Sequence, residues 1–210
     1  MFLGCSVGVS DLCSSSVSSS IIISELRELK ELINQMSLVG EDELLIASEE
    51  MISCVKRGGR IFIAGNGGSA SQSDHLAAEF VGRFKLERMP YPAQSLASSY
   101  AAMTAISNDY SFEEVFSRQL KAHASKGDLV IALTTSGRSR NIIRLLLQAQ
   151  EIQVRSITLT GINDKEVRPI SNATVSVPSM STAHIQEAHL FVGHLLALFG
   201  ELAISGSDNY

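Results

Sequence analysis

Three short apolar runs, each closed by small polar residues and followed in turn by a helical pattern, constrain the fold of this chain most. Residues 60–64 (RIFIA) lead into GNGGS and a helical pattern reaching about residue 84, and residues 128–133 (DLVIAL) lead into TTSGRS and a helical pattern over 140–150. Residues 154–159 (VRSITL) end in Thr160-Gly161. Runs this short, apolar throughout rather than alternating, read as strands covered on both faces. Strand, loop and helix repeated through short connections imply right-handed βαβ units and a parallel sheet with helices on both sides. Residues 91–96 and 173–177 read as further strands, and 98–106, 112–123 and 181–203 as further helices.

Ahead of the first strand, Ile22, Leu26, Leu29, Ile33 and Met36 recur at the spacing of one helix face, and Gly40 ends that helix. Residues 41–56 form a second helix, with Leu44, Leu45, Ala47, Met51 and Ile52 on its apolar side and Gly58-Gly59 as its stop. A lone helical hairpin cannot bury both faces, so this pair is expected to pack on the sheet or on another subunit. With 210 residues, 45% of them hydrophobic, the chain suffices for one sizeable core, and residues 21–210 read as a single domain. Residues 1–20 are Ser-rich and hold no Lys or Arg, which reads as a disordered leader rather than a signal peptide.

Composition narrows the partners. The net charge of −5 is mixed along the sequence and leaves no basic stripe for a nucleic-acid backbone. Cys5, Cys13 and Cys54 show no CxxC spacing, so neither a disulfide framework nor a thiolate zinc site is expected, and a reducing cytoplasm fits. No stretch approaches the ~20 uninterrupted apolar residues of a membrane helix, so a soluble protein is expected. A small anion remains a suitable ligand, because loop amides bind phosphate without an excess of basic residues.

Both Gly- and hydroxyl-rich loops follow strands, where ligands of open parallel sheets gather. In GNGGS, Gly65, Gly67 and Gly68 permit close backbone approach while Asn66 and Ser69 add hydrogen-bonding groups; taken alone this is equally a tight turn. In TTSGRS, Thr134, Thr135, Ser136 and Ser139 place four hydroxyls before a helix, where a single N-cap would need one. Their number, and the second loop beside them, favour an anion site. Downstream of GNGGS, His75 and Glu79 stand i, i+4 on one helix face, a spacing that suits one metal ion, an acid/base pair or an exposed polar stripe. Gln186 and His194 share a face of the last helix but lie about 12 Å apart along its axis, and His194 alone reads as a core histidine.

Four separated blocks, IFIAGNGGSASQSDHLAAEFVGRF, ISNDYSFEEVFSRQL, GDLVIALTTSGRS and HIQEAHLFVGHLL, resemble the phosphoheptose isomerases, the sedoheptulose 7-phosphate isomerase branch of the SIS (sugar isomerase) fold. The likeness runs from about Ser24 to Ala203 and implies an α/β chain with a SIS-type parallel sheet flanked by helices on both faces and an N-terminal helical hairpin. It implies a zinc ion on His75, Glu79, Gln186 and His194, with Glu79 and His194 as catalytic base and acid. It further implies substrate contacts from Asn66, Gly67, Gly68, Ser69, Glu79, Arg83, Asn108, Asp109 and Gln186, with Ser69, Thr134, Thr135, Ser136 and Ser139 on the phosphate. Members are homotetramers with active sites at subunit interfaces, which would give the N-terminal helices a use. The chain departs from the usual STSGNS loop at Arg138, and the ASQSD segment between Ser69 and His75 also differs; both bear on substrate preference.

The implied reaction is a ketose–aldose isomerisation in heptose biosynthesis, sedoheptulose 7-phosphate to D-glycero-D-manno-heptose 7-phosphate through an enediol. Another ketose phosphate is the nearest alternative. A non-catalytic SIS regulator similar to the bacterial replication-initiator-associating protein shares the fold and tetramer but lacks the acid/base pair, whereas Glu79 and His194 are both present here. A sensing module of the kind fused to regulators would need a DNA-binding domain, for which this chain offers no room.

Overall fold

The computed structural model describes residues 15–206. Helix α1 spans Ser15–Val39 and α2 Glu41–Lys56, followed by β1 (Ile61–Ala64), α3 (Gly68–Val81), β2 (Ala93–Ser95), α4 (Tyr100–Asp109) and α5 (Val115–His123). The second half comprises β3 (Leu129–Thr134), α6 (Arg140–Glu151), β4 (Arg155–Thr160), β5 (Ala173–Ser176) and α7 (Thr182–Ser205), with 3₁₀ turns at Phe112–Glu114 and Arg168–Ile170. The first of these turns splits the single helix expected over 112–123.

Two expectations are corrected. Helix α1 starts inside the expected leader, so residues 15–20 are helical rather than disordered, and residues 1–14 lie outside the described residues. Serine costs a helix only some tenths of a kcal/mol per residue, and the periodic segment downstream supplies the nucleus that the serines extend. At its other end α3 stops at Val81 rather than near residue 84, because the amides of Phe84, Lys85 and Leu86 turn to the Glu201 carboxylate on α7.

All five strands are parallel, in the order β2-β1-β3-β4-β5. The chain moves outward from β1 to β2 and then returns past it to β3, so the helices that follow β1 and β3 cover opposite faces. Between those two strands their carboxyl-end loops diverge and leave a crevice, the switch point at which open α/β sheets bind ligands. The strand period of two sorts the core accordingly. Ile61, Ile63, Ile131, Leu133 and Leu159 pack toward α2, α3 and α7, and Phe62, Ala64, Val130 and Ala132 toward α5 and α6.

The N-terminal pair behaves as two different helices. Helix α2 buries Ala47, Ser48, Met51, Cys54 and Val55 in the core. Burial pushes the Cys54 thiol up to about 12, which keeps it protonated and inert. Helix α1 buries Leu32 and Met36 but leaves Ile22, Leu26 and Ile33 of its expected apolar face exposed, with Ile21 and Ile23 beside them. Helix α7 is apolar and long enough to cross a membrane by composition alone. Part of its apolarity serves the core, where it buries Ile185, Ala188, Val192, Leu196 and Ala197, while Phe191 stays exposed.

Helices α3 and α7 follow parallel strands onto the same face and run side by side in the same direction. Their contacts rise in step: Gly68 with Gln186, Leu76 with Gly193, His75 with His194 and Phe80 with Gly200. The glycines set the spacing, since a Cβ on Gly193 would stand 2.6 Å from Leu76 Cδ1 and one on Gly200 2.8 Å from Phe80 Cε1. Gly193→Ala is therefore expected to lower stability by up to about 2 kcal/mol, the net of an overpacking cost of roughly 1–3 kcal/mol against the roughly 1 kcal/mol that Ala gains over Gly within a helix. Urea unfolding measures the sign directly; a higher midpoint would refute the close-packing account.

Candidate active site

The two singled-out loops follow β1 and β3, the strands on either side of the switch point. Gly67 adopts φ +56°, a left-handed value that only glycine takes without strain, and turns the chain into α3. Gly68 lies beneath Gln186, whose Nε2 would stand 2.7 Å from any Cβ at that position. Ser69 is buried at the start of α3. In the other loop Gly137 sits at φ +65° with its Cα against the Asn163 carbonyl. Thr134 Oγ1 donates to Ser139 Oγ at 3.2 Å, and the Arg138 amide donates to Ser136 Oγ at 3.2 Å.

Asn141 ties the loops together and was not foreseen from sequence. Its Nδ2 donates to Asn66 Oδ1 at 2.8 Å while Asn66 Nδ2 returns a bond to Asn141 Oδ1 at 2.9 Å. An Asn in the first turn after a hydroxyl loop was the available signal. On the other side of the hydroxyl loop a pocket of about 190 Å³ opens, lined by Thr135, Ser136 and Arg138 with Asn163, Ser179, Met180 and Thr182 from the segments after β4 and before α7. Hydroxyls, an amide and one guanidinium make it suited to an anion. Larger hollows of about 430 and 340 Å³ run along α1 and hold none of the loop or His–Glu residues, so size does not identify the site here.

The second constellation lies between α3 and α7. His75, Glu79 and His194 bring ligand atoms within 4.8 Å of one another. His75 Nε2 stands 3.0 Å from His194 Nε2 and 3.4 Å from Glu79 Oε1. Tetrahedral zinc with nitrogen and oxygen ligands at about 2.0–2.1 Å holds its donors roughly 3.3 Å apart, a spacing that the two separations from His75 match. Burial, and then the neighbouring His75, hold the His194 imidazole below its ordinary pKa, favouring the neutral form that ligates a metal or accepts a proton. Gln186, by contrast, stays at Gly68, roughly 10 Å along α3 from the His75 backbone. One chain thus gathers three of the four expected ligands.

Arg83, Asn108 and Asp109 are exposed and join neither constellation within the chain. Arg83 Nε lies 3.7 Å from Glu87 Oε2, and Asn108 Nδ2 donates to Asp109 Oδ1 at 2.8 Å. His184 and His189 point elsewhere. His184 hydrogen-bonds Glu187, which raises its pKa, and meets Glu25 and Glu28 of α1. His189 is fully buried, and burial pushes it down to about 4.

Below the cluster sits a buried ion pair. Glu201 (0% side-chain exposure) and Arg88 (2%) approach to 3.4 Å. Glu201 accepts the amides of Phe84, Lys85 and Leu86 at 2.7, 2.8 and 3.0 Å. Arg88 donates to the carbonyls of Glu79, Phe80 and Gly82 at 2.6, 2.6 and 2.9 Å, closing the C-terminal end of α3. A lone carboxylate within the apolar run LLALFGELAIS was the sequence signal for this pair.

The comparisons with known proteins agree with this architecture. The SIS domain family model matches residues 26–161. A phosphoheptose isomerase of Aquifex aeolicus is 45% identical over 144 residues, 69% of this chain and 75% of the relative. One of Helicobacter pylori is 40% identical over 178 residues, 84% of this chain and 92% of the relative. Among solved structures, a phosphoheptose isomerase of Neisseria gonorrhoeae superposes with a TM-score of 0.82 at 31% identity, covering 87% of this chain and 98% of that one. The fold and its loops therefore define a SIS-domain phosphosugar isomerase. Within that class the chain belongs to the phosphoheptose isomerase family, and it is an isomerase of the aldose–ketose type.

Burial alone would raise the Glu201 carboxyl, but the amides of Lys85, Leu86 and Phe84 together with Arg88 outweigh it and hold the pKa below the ordinary 4.5. A lowered folded-state value gives stability that is full above the unfolded pKa and is lost as pH falls through the folded one. Urea midpoints measured on acidification below pH 4.5 are expected to show this loss, and Glu201→Gln to remove that share of the acid dependence while lowering the neutral-pH midpoint. An unchanged acid profile in Glu201→Gln would contradict the assignment.

Proposed function

We propose that this chain converts sedoheptulose 7-phosphate to D-glycero-D-manno-heptose 7-phosphate by enediol proton transfer. The observation that carries the reading is the convergence of His75, Glu79 and His194 on the α3–α7 pair whose N-terminal end carries the GNGGS loop. Moving a carbonyl from C2 to C1 requires removal of a proton from the adjacent carbon, stabilisation of the enediolate and return of the proton to its neighbour. Glu79 is assigned the carbon-bound proton. His194, held neutral by its surroundings, is assigned the proton exchanged between the two oxygens. Thr134, Thr135, Ser136, Ser139 and Ser69 bind the phosphate, with Asn66, Gly67 and Gly68 forming the facing wall.

His75, Glu79 and His194 are the residues that would hold a zinc ion. Such an ion, when bound, polarises the substrate oxygen as a Lewis acid. Gln186, fixed over Gly68, is assigned to the sugar rather than to the ion of its own chain.

Within one chain the cluster is set down α3 from the loops, and Arg83, Asn108 and Asp109 face outward. Together with the exposed isoleucines and Leu26 of α1, this supports a homotetramer in which neighbouring subunits complete each site. Large exposed apolar residues clustered on one helix are characteristic of an interface.

Purified protein incubated with sedoheptulose 7-phosphate, with and without zinc and a chelator, is expected to form the aldose heptose phosphate, faster with zinc and slower with chelator. Glu79→Gln is expected to keep sugar-phosphate binding and to lose turnover by at least about 100-fold. Binding without conversion by the unmutated protein would favour a regulator. Conversion of a different ketose phosphate only would overturn the substrate assignment. Arg138→Asn, which removes the cation from the hydroxyl pocket, is expected to raise KM with little change in kcat, by about tenfold for a charge-assisted phosphate contact. Steady-state kinetics with the phosphorylated substrate reads this out, and an unchanged KM would place Arg138 in solvent alone.

A further inference from the structure

An imidazole that exchanges a proton or holds a metal must keep its ring plane, and the torsion about its ring bond is intrinsically broad. Ligating histidines are usually fixed by a hydrogen bond through the second ring nitrogen. His194 has a different arrangement. Among the described residues, its one side-chain hydrogen-bond partner is His75, met through Nε2 at 3.0 Å. The ring of Phe84 lies over its face instead, with centroids 5.0 Å apart and planes inclined by 21°. The His75 ring meets it edge-on at 5.3 Å and 73°. One face and one edge of the imidazole are thereby defined.

Phe84 is itself held from below. Its amide donates to Glu201 Oε1 at 2.7 Å. Glu201 follows His194 by seven residues, two turns along the same face of α7. The segment after α3 is thus anchored two turns past His194 and folds back to lay the Phe84 ring on it. Arg88 fixes the same segment to the end of α3 through the carbonyls of Glu79, Phe80 and Gly82. The clamp reaches both helices that supply the cluster.

We infer that Phe84, held by the Glu201–Arg88 clamp, is a positioning residue that sets the plane of the His194 imidazole for isomerisation. The inference rests on the assignment of His194 as the proton-transfer residue. Phe84 is assigned no contact with the substrate and acts through the His194 ring it covers, so its loss acts on turnover rather than on binding.

The test compares Phe84→Leu, which keeps apolar bulk without a ring, with Phe84→Tyr, which keeps the ring. Steady-state kinetics on sedoheptulose 7-phosphate is paired with thermal unfolding, and His194→Gln serves as the reference. Phe84→Leu is expected to lose roughly tenfold or more in kcat with KM unchanged and the unfolding transition retained, and Phe84→Tyr to recover most of that loss. Wild-type kcat in Phe84→Leu, with His194→Gln inactive, overturns the positioning role and leaves the mechanism standing. Wild-type turnover in His194→Gln overturns the assignment beneath it. Should Phe84→Leu fail to fold, NMR of histidine-labelled unmutated protein decides: the His194 ring protons, assigned by their loss in His194→Gln, are expected upfield of an ordinary imidazole because they lie over an aromatic face. Ordinary shifts overturn the inference.

Discussion

The close, parallel packing of α3 on α7 is the constraint on which the rest of this structure depends. Each helix alone carries half of a site: His75 and Glu79 on one, Gln186 and His194 on the other. What joins the halves is the absence of side chains at Gly68, Gly193 and Gly200, where Gln186, Leu76 and Phe80 occupy the space a Cβ would take. Dense packing transmits a shift of a few tenths of an ångström along both helices. The two glycines within α7 that weaken its helical propensity are thus what allows His75 and His194 to meet.

The sheet supplies the other half of the arrangement. Because β1 is followed by β2 on one side and flanked by β3 on the other, the loops after β1 and β3 leave toward opposite faces, and the Asn66–Asn141 pair bridges them. The pair is half-buried, so it contributes about 0.5–1.5 kcal/mol as a net hydrogen bond, and it also fixes loop geometry that hydroxyls alone would leave adjustable. The hydroxyl loop and the His–Glu cluster are therefore held by separate elements, one by the carboxyl end of the central strand β3 and one by the helix pair.

Much of this was legible in the sequence because it is periodic or local. Continuous apolar runs identified the parallel strands, and the loop composition located the ligand end. The i, i+4 spacing of His75 and Glu79 placed them on one face, and the eight-residue gap between Gln186 and His194 anticipated that the two would not share one point. What could not be read were contacts made across the fold. The pairing of Asn66 with Asn141, the end of α3 at Val81 and the seat of Phe84 on His194 all depend on long-range partners, with Glu201 separated from Phe84 by 117 positions. Residues 15–20 were misread for a related reason, since low propensity in a serine run is overcome by the helix it extends. Arg83, Asn108 and Asp109 took their meaning from family resemblance, and within one chain they are exposed polar residues that join neither constellation.

The central claim is that the α3–α7 pair moves a carbon-bound proton through Glu79. Isomerisation of sedoheptulose 7-phosphate in deuterium oxide, followed by NMR of the product, tests it most directly. Proton transfer by an exchangeable carboxylate predicts deuterium at C2 of the aldose phosphate, with both label and turnover lost in Glu79→Gln. Labelled or unlabelled product formed by Glu79→Gln at the unmutated rate would contradict it.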